Sequence, residues 1–287
     1  MSFSDLLRRL AGRLVYKGGS IAALPVRRAF GSLVSEWQYV PGGWRAAPVT
    51  RGWDEESVAA AAEKQWRVLQ ASLEGPGPLG VAHYLGTRGR ENRSNHNAMM
   101  SFGYVLALAA REKQRVSILD WGGGAGHYYL YARALLPEAE IDYACYEVPA
   151  LCAVGRRLLP KATFYEDAGE ALSRRYDLVL ASSALHYFED WRGELAKLGA
   201  ATSGLLYVAR LQTVRKAPSF VVMQRPYSAG YRTEYISWMI NRREFIEAAE
   251  ACGLELVREF VYAESWWLRG APEHGQSWGY LLRRRAG

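Results

Sequence analysis

From residue 116 onward, short apolar runs alternate with longer stretches in which apolar positions follow a helical spacing. Apolar runs of this length predict buried strands, and they fall at 116–121, 141–148, 162–167, 176–183 and 203–214. The intervening segments predict helices at 126–136, 150–159, 190–200 and 241–253, and two further strands are predicted at 254–264 and 277–285. Alternating strands and helices predict an α/β fold with a mostly parallel sheet that helices cover on both faces.

The first 115 residues follow a different pattern. Helical spacing and composition predict helices at 3–15, 55–73 and 94–111, and the segment 35–53 is rich in aromatic residues and in chain breakers. Because the strand–helix alternation begins only at residue 116, we divide the chain into a helical, aromatic-rich region at 1–115 and an α/β domain at 116–287.

The chain has 287 residues and a formal net charge of +7, with 49% hydrophobic and 23% charged residues. This composition is that of a globular protein, and no apolar run has the roughly 18 residues that a spanning helix needs. The bases within residues 1–31 exceed the acids by five, residues 283–285 add three more, and the rest of the chain carries −1. A basic nucleic-acid groove through the body is therefore not expected.

The helix predicted at 3–15 leaves two interpretations open. Its basic face can contact an anionic membrane surface, which would make residues 1–31 a peripheral anchor, or the helix packs on the body with that face in solvent. Three cysteines without a CxxC pair argue against a disulfide framework, and no secretory signal is visible. We therefore expect a cytoplasmic protein, peripheral to the inner membrane face if the anchor operates. The sequence does not indicate an oligomeric state.

The segment 118–127, ILDWGGGAGH, places an acid and then alternating glycines between a predicted strand and a predicted helix. Ligands of open α/β sheets bind at this edge, and glycines allow the backbone to approach them closely. A dinucleotide fingerprint would need the spacing G-x-G-x-x-G, whereas the spacing here is G-x-G-x-G. The acid at Asp120 also disfavours a pyrophosphate and suits a cationic amino group.

This segment resembles motif I of the class I S-adenosylmethionine-dependent methyltransferases, D/E-x-G-x-G-x-G. The resemblance implies a Rossmann-like fold with a mostly parallel seven-stranded sheet and S-adenosylmethionine as cofactor. It places Asp120 near the amino group of the methionine moiety, Glu147 at the ribose hydroxyls and Asp167 near the adenine, although Asp167 could instead cap a helix. The implied cofactor-binding residues are Asp120, Gly122, Gly124, Gly126, Glu147, Asp167 and Ser183.

Most of the chain is also similar to a less characterised family of methyltransferases that are often encoded near bacterial surface-polysaccharide genes. The similarity rests on the segments PGGW, RGWDEESV, SNHNAMMSFGYVLALAA, DWGGGAGHYY and INRREFIEAAEACGLELV. By association it implies a glycan or another small molecule as acceptor. We therefore expect an S-adenosylmethionine-dependent O-methyltransferase, with an NAD-dependent oxidoreductase and a non-catalytic binding protein as the rival interpretations.

The first candidate for a catalytic base is His186, because LHYFEDW follows the fourth strand of the domain and resembles the catalytic-histidine region of small-molecule O-methyltransferases. Tyr187 stands where those enzymes often have Asp, so packing or pocket lining is the alternative for His186. His127 is a candidate for cofactor or acceptor contact. Further candidates are His83, Tyr84, His96 and Asn97 in a lid, and Tyr227, Tyr231 and Tyr235 for stacking on an acceptor. The five histidines show no paired ligand spacing, so no metal site is expected.

Overall fold

The helices and strands are known from a computed structural model, which describes residues 36–47, 50, 52–75, 77, 79, 93–226 and 231–285. The helix predicted at 3–15 and the candidates His83, Tyr84 and Tyr227 lie outside the described residues. No helix in the described part of the chain is both long enough and apolar enough to cross a membrane.

The strands are β1 (Trp37–Tyr39), β2 (Arg115–Trp121), β3 (Glu140–Tyr146), β4 (Thr163–Tyr165), β5 (Tyr176–Ser182), β6 (Thr202–Val214), β7 (Phe220–Gln224), β8 (Tyr235–Asn241), β9 (Leu254–Trp266) and β10 (Gly275–Arg284). The helices are α1 (Glu56–Ser72), α2 (Arg93–Ala110), α3 (His127–Leu135), α4 (Pro149–Leu158), α5 (Ala168–Ala171), α6 (Trp191–Ala201) and α7 (Arg242–Ala251). Short 3₁₀ turns lie at Trp44–Ala46 and Leu185–Tyr187.

Seven strands form a sheet in the order β4-β3-β2-β5-β6-β10-β9. The strands from β4 to β6 run parallel, and β10 is antiparallel to both of its neighbours. The prediction of a mostly parallel, Rossmann-like sheet is therefore confirmed, and these seven strands are part of a sheet that has ten strands among the described residues.

The order of the strands reverses beside β2. The chain passes from β2 outward to β3 and β4, and then returns to the other side of β2 with β5. A crevice opens at such a switch point, outside the carboxyl ends of the strands, and it is where open α/β sheets bind ligands.

Three strands were not predicted, and they extend the sheet beyond β6. The last two residues of β6 pair in parallel with β8, which pairs antiparallel with β7, and β7 pairs antiparallel with β1. The segment predicted as a region of helices and loops therefore contributes β1 to the same sheet as the α/β domain. The boundary between residues 115 and 116 stays a prediction.

Two apolar cores cover the two faces of the sheet. On one face, α1, α2, α3 and α4 pack around Phe102, Tyr131 and Cys152. On the other face, α6 and α7 pack around Trp191 and Phe245. Because β2 and β5 are covered on both sides, most of their residues are buried, and the runs 118–119 and 178–181 at their centres are apolar, as a parallel sheet requires.

Candidate active site

A cavity of about 420 Å³ lies at the carboxyl ends of β2, β3 and β5. One wall is formed by the loops that follow these strands. The opposite wall is the apolar face of α1, from which Val58, Ala61, Ala62, Gln65, Trp66 and Leu69 contribute. The cavity thus lies at the switch point of the sheet, between the strand edge and a helix from the N-terminal region.

The glycine loop joins β2 to α3 with a left-handed backbone at three positions. The φ angles are 70° at Gly122, 61° at Gly124 and 86° at Gly126, a region that residues with a Cβ rarely adopt. Gly122 and Gly124 line the cavity. At Gly124 a Cβ would meet only the His127 Nδ1, 3.9 Å away, so this glycine leaves room above the loop.

Gly126 has a different role from the other two glycines. It begins α3 and does not line the cavity. A Cβ at this position would lie 2.8 Å from the Leu159 Cδ1 and 3.0 Å from the Phe164 Cζ, so Gly126 allows α3 to approach α4 and β4 closely.

Asp120 lies beneath the loop, with 1% of its surface exposed. Its Oδ2 accepts a hydrogen bond from the Tyr143 hydroxyl, and its Oδ1 has no hydrogen-bond partner among the described residues. Burial raises the pKa of Asp120 to about 7, the hydrogen bond from Tyr143 opposes this rise, and the charge of Glu147 adds to it. A Cβ on Gly123 would overlap the Asp120 carboxyl group, so this glycine makes room for the acid.

Glu147 follows β3 and lines the cavity. Its Oε2 accepts from the Gly124 N–H and its Oε1 from the Val148 N–H, both at 2.8 Å. Burial raises its pKa, and the two backbone hydrogen bonds act in the opposite direction. The carboxylate is therefore held at the edge of the glycine loop, in a fixed orientation.

The remaining cofactor candidates are divided. Ser183 lines the cavity directly after β5. Asp167 is exposed and caps α5, because its Oδ1 accepts from the Glu170 N–H at 2.8 Å, and its neighbour Glu166 lines the cavity instead. Asp167 thus caps a helix in this structure, which was the alternative to its role at the adenine, and the cofactor role stays a prediction.

His186 is completely buried and does not line the cavity, unlike its neighbours Tyr187 and Phe188. Neither ring nitrogen has a hydrogen-bond partner in the described part of the chain, and burial lowers the pKa of the ring to about 3. Of the two roles open to His186, this position favours packing, and the role of base stays a prediction that would require the ring to turn.

His127 lines the cavity at the first turn of α3 and is half-buried. Burial, together with the smaller effect of the positive charge of Arg210, lowers its pKa to about 4. The imidazole is therefore neutral near pH 7, and it is a weaker base than an ordinary histidine. The hydroxyls of Tyr128 and Ser182, which also line the cavity, share a hydrogen bond of 2.8 Å beside it.

Aromatic side chains form the wall beyond His127. Trp53 stacks on Tyr235 with 4.2 Å between ring centroids, and it meets Tyr187 and Tyr231 edge to face. Trp53, Tyr187 and Tyr231 line the cavity, whereas Tyr235 is buried behind them. Of the tyrosines predicted to face an acceptor, Tyr231 is thus on the cavity wall and Tyr235 supports it.

The lid candidates His96 and Asn97 do not line the cavity. The His96 Nδ1 lies 2.8 Å from the Leu79 carbonyl oxygen, and the Asn97 side chain donates to the Val261 carbonyl at 3.5 Å. The side chain that α2 contributes to the polar part of the wall is the adjacent Asn95.

Two contributions to the cavity were missed by sequence reasoning. The first is α1, whose alanine-rich sequence predicts a helix without indicating what it covers. The second is Arg210, the single charged residue within the apolar run LLYVARLQTV of β6. Burying a charge inside a strand costs folding free energy unless the charge is paired or functional. The position of Arg210 in an apolar strand was therefore a signal that could have marked it as a site residue.

The polar groups at the strand edge fit a nucleoside that carries a cationic amino acid. Glu147 offers a fixed carboxylate on the cavity wall, and Gly124 leaves space beside it. Asp120 does not line the cavity, but its buried carboxyl group keeps one oxygen without a hydrogen-bond partner among the described residues. Among the described residues no cluster of His, Cys, Asp and Glu could hold a metal ion. Fold and site together define a Rossmann-like protein with an adenosyl-cofactor site.

A family model described as a methyltransferase domain matches residues 92–259, more than half of the chain. The chain belongs to this family, and it is an enzyme that transfers methyl groups from S-adenosylmethionine. No curated protein matches it.

Several solved structures of methyltransferases are similar to the chain. Magnesium protoporphyrin IX methyltransferase from Synechocystis, with bound S-adenosylhomocysteine, is 12% identical over 77% of this chain and 94% of its own, with a TM-score of 0.44. The 1,6-didemethyltoxoflavin-N1-methyltransferase of Burkholderia thailandensis is 15% identical over 84% of this chain and 93% of its own, with a TM-score of 0.45. An amino pentose methyltransferase from Micromonospora echinaspora is 18% identical over 69% and 93%, with a TM-score of 0.41.

Proposed function

We propose that this enzyme methylates a hydroxyl group of a small molecule, with glycan precursors among the acceptors to test first. The observation that carries the proposal is the arrangement of side chains around the cavity. The Glu147 carboxylate and the glycines lie at its strand edge, His127 lies beside the glycine loop, and Trp53, Tyr187 and Tyr231 form an aromatic wall. A flat, partly apolar acceptor such as a sugar or an aromatic ring can stack on the side chains of Trp53, Tyr187 and Tyr231.

The cofactor would be held by the residues of the strand edge. Glu147 would accept the two ribose hydroxyls, the backbone of Gly122 and Gly124 would pass close to the methionine moiety, and Asp120 would pair with its amino group. Ser183 would contact the cofactor from the end of β5, and Asp167 would approach the adenine only if its cap on α5 opens. When bound, the cofactor supplies a methyl group on a positively charged sulfur.

The chain itself then has to align the acceptor and to take up its proton. We assign the proton to the ring of His127, which lines the cavity and is neutral near pH 7. His186, predicted from its sequence context, is the alternative base.

Calorimetry with S-adenosylhomocysteine tests the cofactor site. Wild-type protein is expected to bind, Asp120→Ala to lose binding, and Glu147→Ala to bind roughly 10- to 100-fold more weakly, because a charge-assisted hydrogen bond contributes about 1.5–3 kcal/mol. Glu140→Ala is the matched control, since Glu140 is an exposed carboxylate at the opposite end of β3. Absence of binding by wild-type protein, or binding by all variants alike, would refute the proposed site.

The same variants, with His127→Gln and His186→Gln, are then incubated with radiolabelled methyl donor and lysate fractions that include polysaccharide precursors. We expect His127→Gln to lower transfer without changing the affinity for S-adenosylhomocysteine. Loss of transfer in His186→Gln alone would restore His186 as the base. A labelled product methylated at nitrogen or carbon would contradict the assignment of a hydroxyl acceptor.

A further inference from the structure

Arg210 is a buried cation at the wall of the cavity. Only 8% of its surface is exposed, and its φ of 49° lies in the left-handed region that residues with a side chain rarely adopt. It directly follows Ala209, which pairs with Ser182 at the end of β5. Its side chain therefore reaches the cavity beside the loop after β5.

Two other elements fix the guanidinium. Its Nη1 donates to the Glu264 Oε2 of β9 at 3.1 Å, and its Nη2 donates to the Asn95 Oδ1 of α2. Such contacts hold the planar group in one orientation before a ligand arrives, which is how carboxylate-binding arginines gain affinity. The left-handed backbone of Arg210 is a local strain of the kind that persists at binding sites.

The charges of the cavity are separated in space. Arg210 is the only lysine or arginine among the described residues that line it, and the carboxylates Glu147 and Glu166 follow β3 and β4. Glu264 does not line the cavity, and its side chain is 22% exposed. A guanidinium has five N–H donors in one plane, so it can contact Glu264 on one edge and another carboxylate on the next.

We propose that Arg210 binds a carboxylate group inside this cavity. The carboxylate belongs either to the methionine end of the cofactor or to the acceptor. The proposal rests on the proposed function, because both ligands are those of the methyl transfer.

Two matched pairs of ligands distinguish the sources by calorimetry. The first pair is S-adenosylhomocysteine and its decarboxylated analogue. The second pair is benzoate and benzamide, each added to protein saturated with S-adenosylhomocysteine, because the aromatic wall accepts a ring. If the cofactor supplies the carboxylate, wild-type protein binds S-adenosylhomocysteine roughly 10- to 100-fold more tightly than its decarboxylated analogue. If the acceptor supplies it, wild-type protein prefers benzoate to benzamide by a similar factor.

Arg210→Gln should remove whichever preference wild-type protein shows, and Arg210→Lys should keep part of it, because the ammonium keeps the charge but loses the planar fork. The proposal is wrong if wild-type protein prefers neither S-adenosylhomocysteine to its decarboxylated analogue nor benzoate to benzamide. It is also wrong if Arg210→Gln keeps the preference that wild-type protein shows. If wild-type protein binds neither S-adenosylhomocysteine nor its analogue, the proposed function fails instead. The comparison on wild-type protein also decides the matter if Arg210→Gln does not fold.

Discussion

At the scale of single residues, the chemistry of the site centres on Asp120. Its carboxyl group is buried under the glycine loop, has one hydrogen bond from Tyr143 and keeps one oxygen without a partner among the described residues. Burial raises its pKa from 3.8 to about 7, so the free protein holds a proton there up to neutral pH. A cationic amino group beside it would favour the ionised form.

This pKa makes the stability of the free protein depend on pH. Because the folded state binds the proton more tightly than the unfolded state, the contribution of Asp120 is fully present below pH 4 and is lost as pH rises through 7. Asp120→Asn does not titrate. Between pH 5 and pH 8 the free energy of unfolding of this variant should therefore rise relative to wild type by roughly 2–3 kcal/mol.

Urea unfolding of both proteins at the two pH values, without cofactor, measures this difference. Glu140→Gln, which neutralises an exposed carboxylate on β3, should show no comparable change. An equal difference between Asp120→Asn and wild type at both pH values would mean that Asp120 has an ordinary pKa in the folded protein.

The sequence predicted some residues of the site and not others, for physical reasons. Gly124 and Glu147 could be predicted because both lie in loops that follow strands, and the carboxyl ends of parallel strands meet at one edge. The charge of Arg210 within an apolar strand marks it as paired or functional, but its reach into the cavity could not be predicted, because it depends on a local left-handed backbone within β6. The burial of His186 could not either, since the sequence does not show which side of a short 3₁₀ turn faces the core.

At the scale of elements, Gly124 and Gly155 show two different reasons for a glycine. Gly124 leaves space above the loop, and its φ of 61° is left-handed. Gly155 lies in α4, where a Cβ would overlap the ring of Phe164 on β4. One glycine therefore serves the cavity, and the other serves the packing of a helix on the sheet.

Substituting alanine at each position should separate binding from stability. Gly124→Ala places a methyl group where the cofactor approaches, so its affinity for S-adenosylhomocysteine should fall by roughly tenfold or more, with about 1–2 kcal/mol of stability lost to the left-handed backbone. Gly155→Ala should lose roughly 1–3 kcal/mol of stability by overpacking, with its affinity little changed.

Calorimetry and urea unfolding of the two variants provide the comparison. Gly77→Ala, where a Cβ would meet nothing within 4 Å, is the control for the substitution itself. Unchanged affinity in Gly124→Ala would show that the cofactor does not pass over this loop.

Sequence reasoning found the elements whose patterns are local and missed those that depend on distant pairing. The strands β2 to β6, and all but one of the described helices, follow from apolar runs and helical spacing. β1 has three residues and pairs with β7, far along the chain, so no local pattern marks it. The position of α1 over the cavity likewise depends on tertiary packing, which its composition does not encode.

At the scale of the whole molecule, the positive charge at the two ends of the chain differs in its surroundings. Arg283 and Arg285 lie 2.5 and 3.7 Å from the carboxylates of Glu255 and Glu250, and Arg284 donates to the Gly199 carbonyl. The C-terminal bases are thus engaged with the body. The other excess of positive charge lies in residues 1–31, where the bases exceed the acids by five.

We predict that full-length protein associates with anionic lipid vesicles through residues 1–31. Replacing Arg8, Arg9 and Arg13 with Gln should weaken vesicle binding by roughly 100-fold or more at low salt, since each base near an anionic surface contributes about 1 kcal/mol. Affinity for S-adenosylhomocysteine should not change.

Co-sedimentation with vesicles that contain or lack anionic lipid measures the binding. Gln at 283–285 removes the same charge from the other end of the chain and should have little effect. If both triple variants lose vesicle binding equally, the net charge of the protein and not residues 1–31 is responsible for the binding. If wild-type protein does not bind vesicles, the predicted membrane docking is wrong.

The close approach of Gly123 to Asp120 has a consequence for substitutions in this chain. The absent side chain at 123 provides the space that the acid at 120 fills, so a change at one position constrains the other. Motif I accepts any residue at the position of Gly123, so a homologue with a side chain there must place its loop or its acid differently. In this chain, a glycine that does not line the cavity therefore maintains the buried acid.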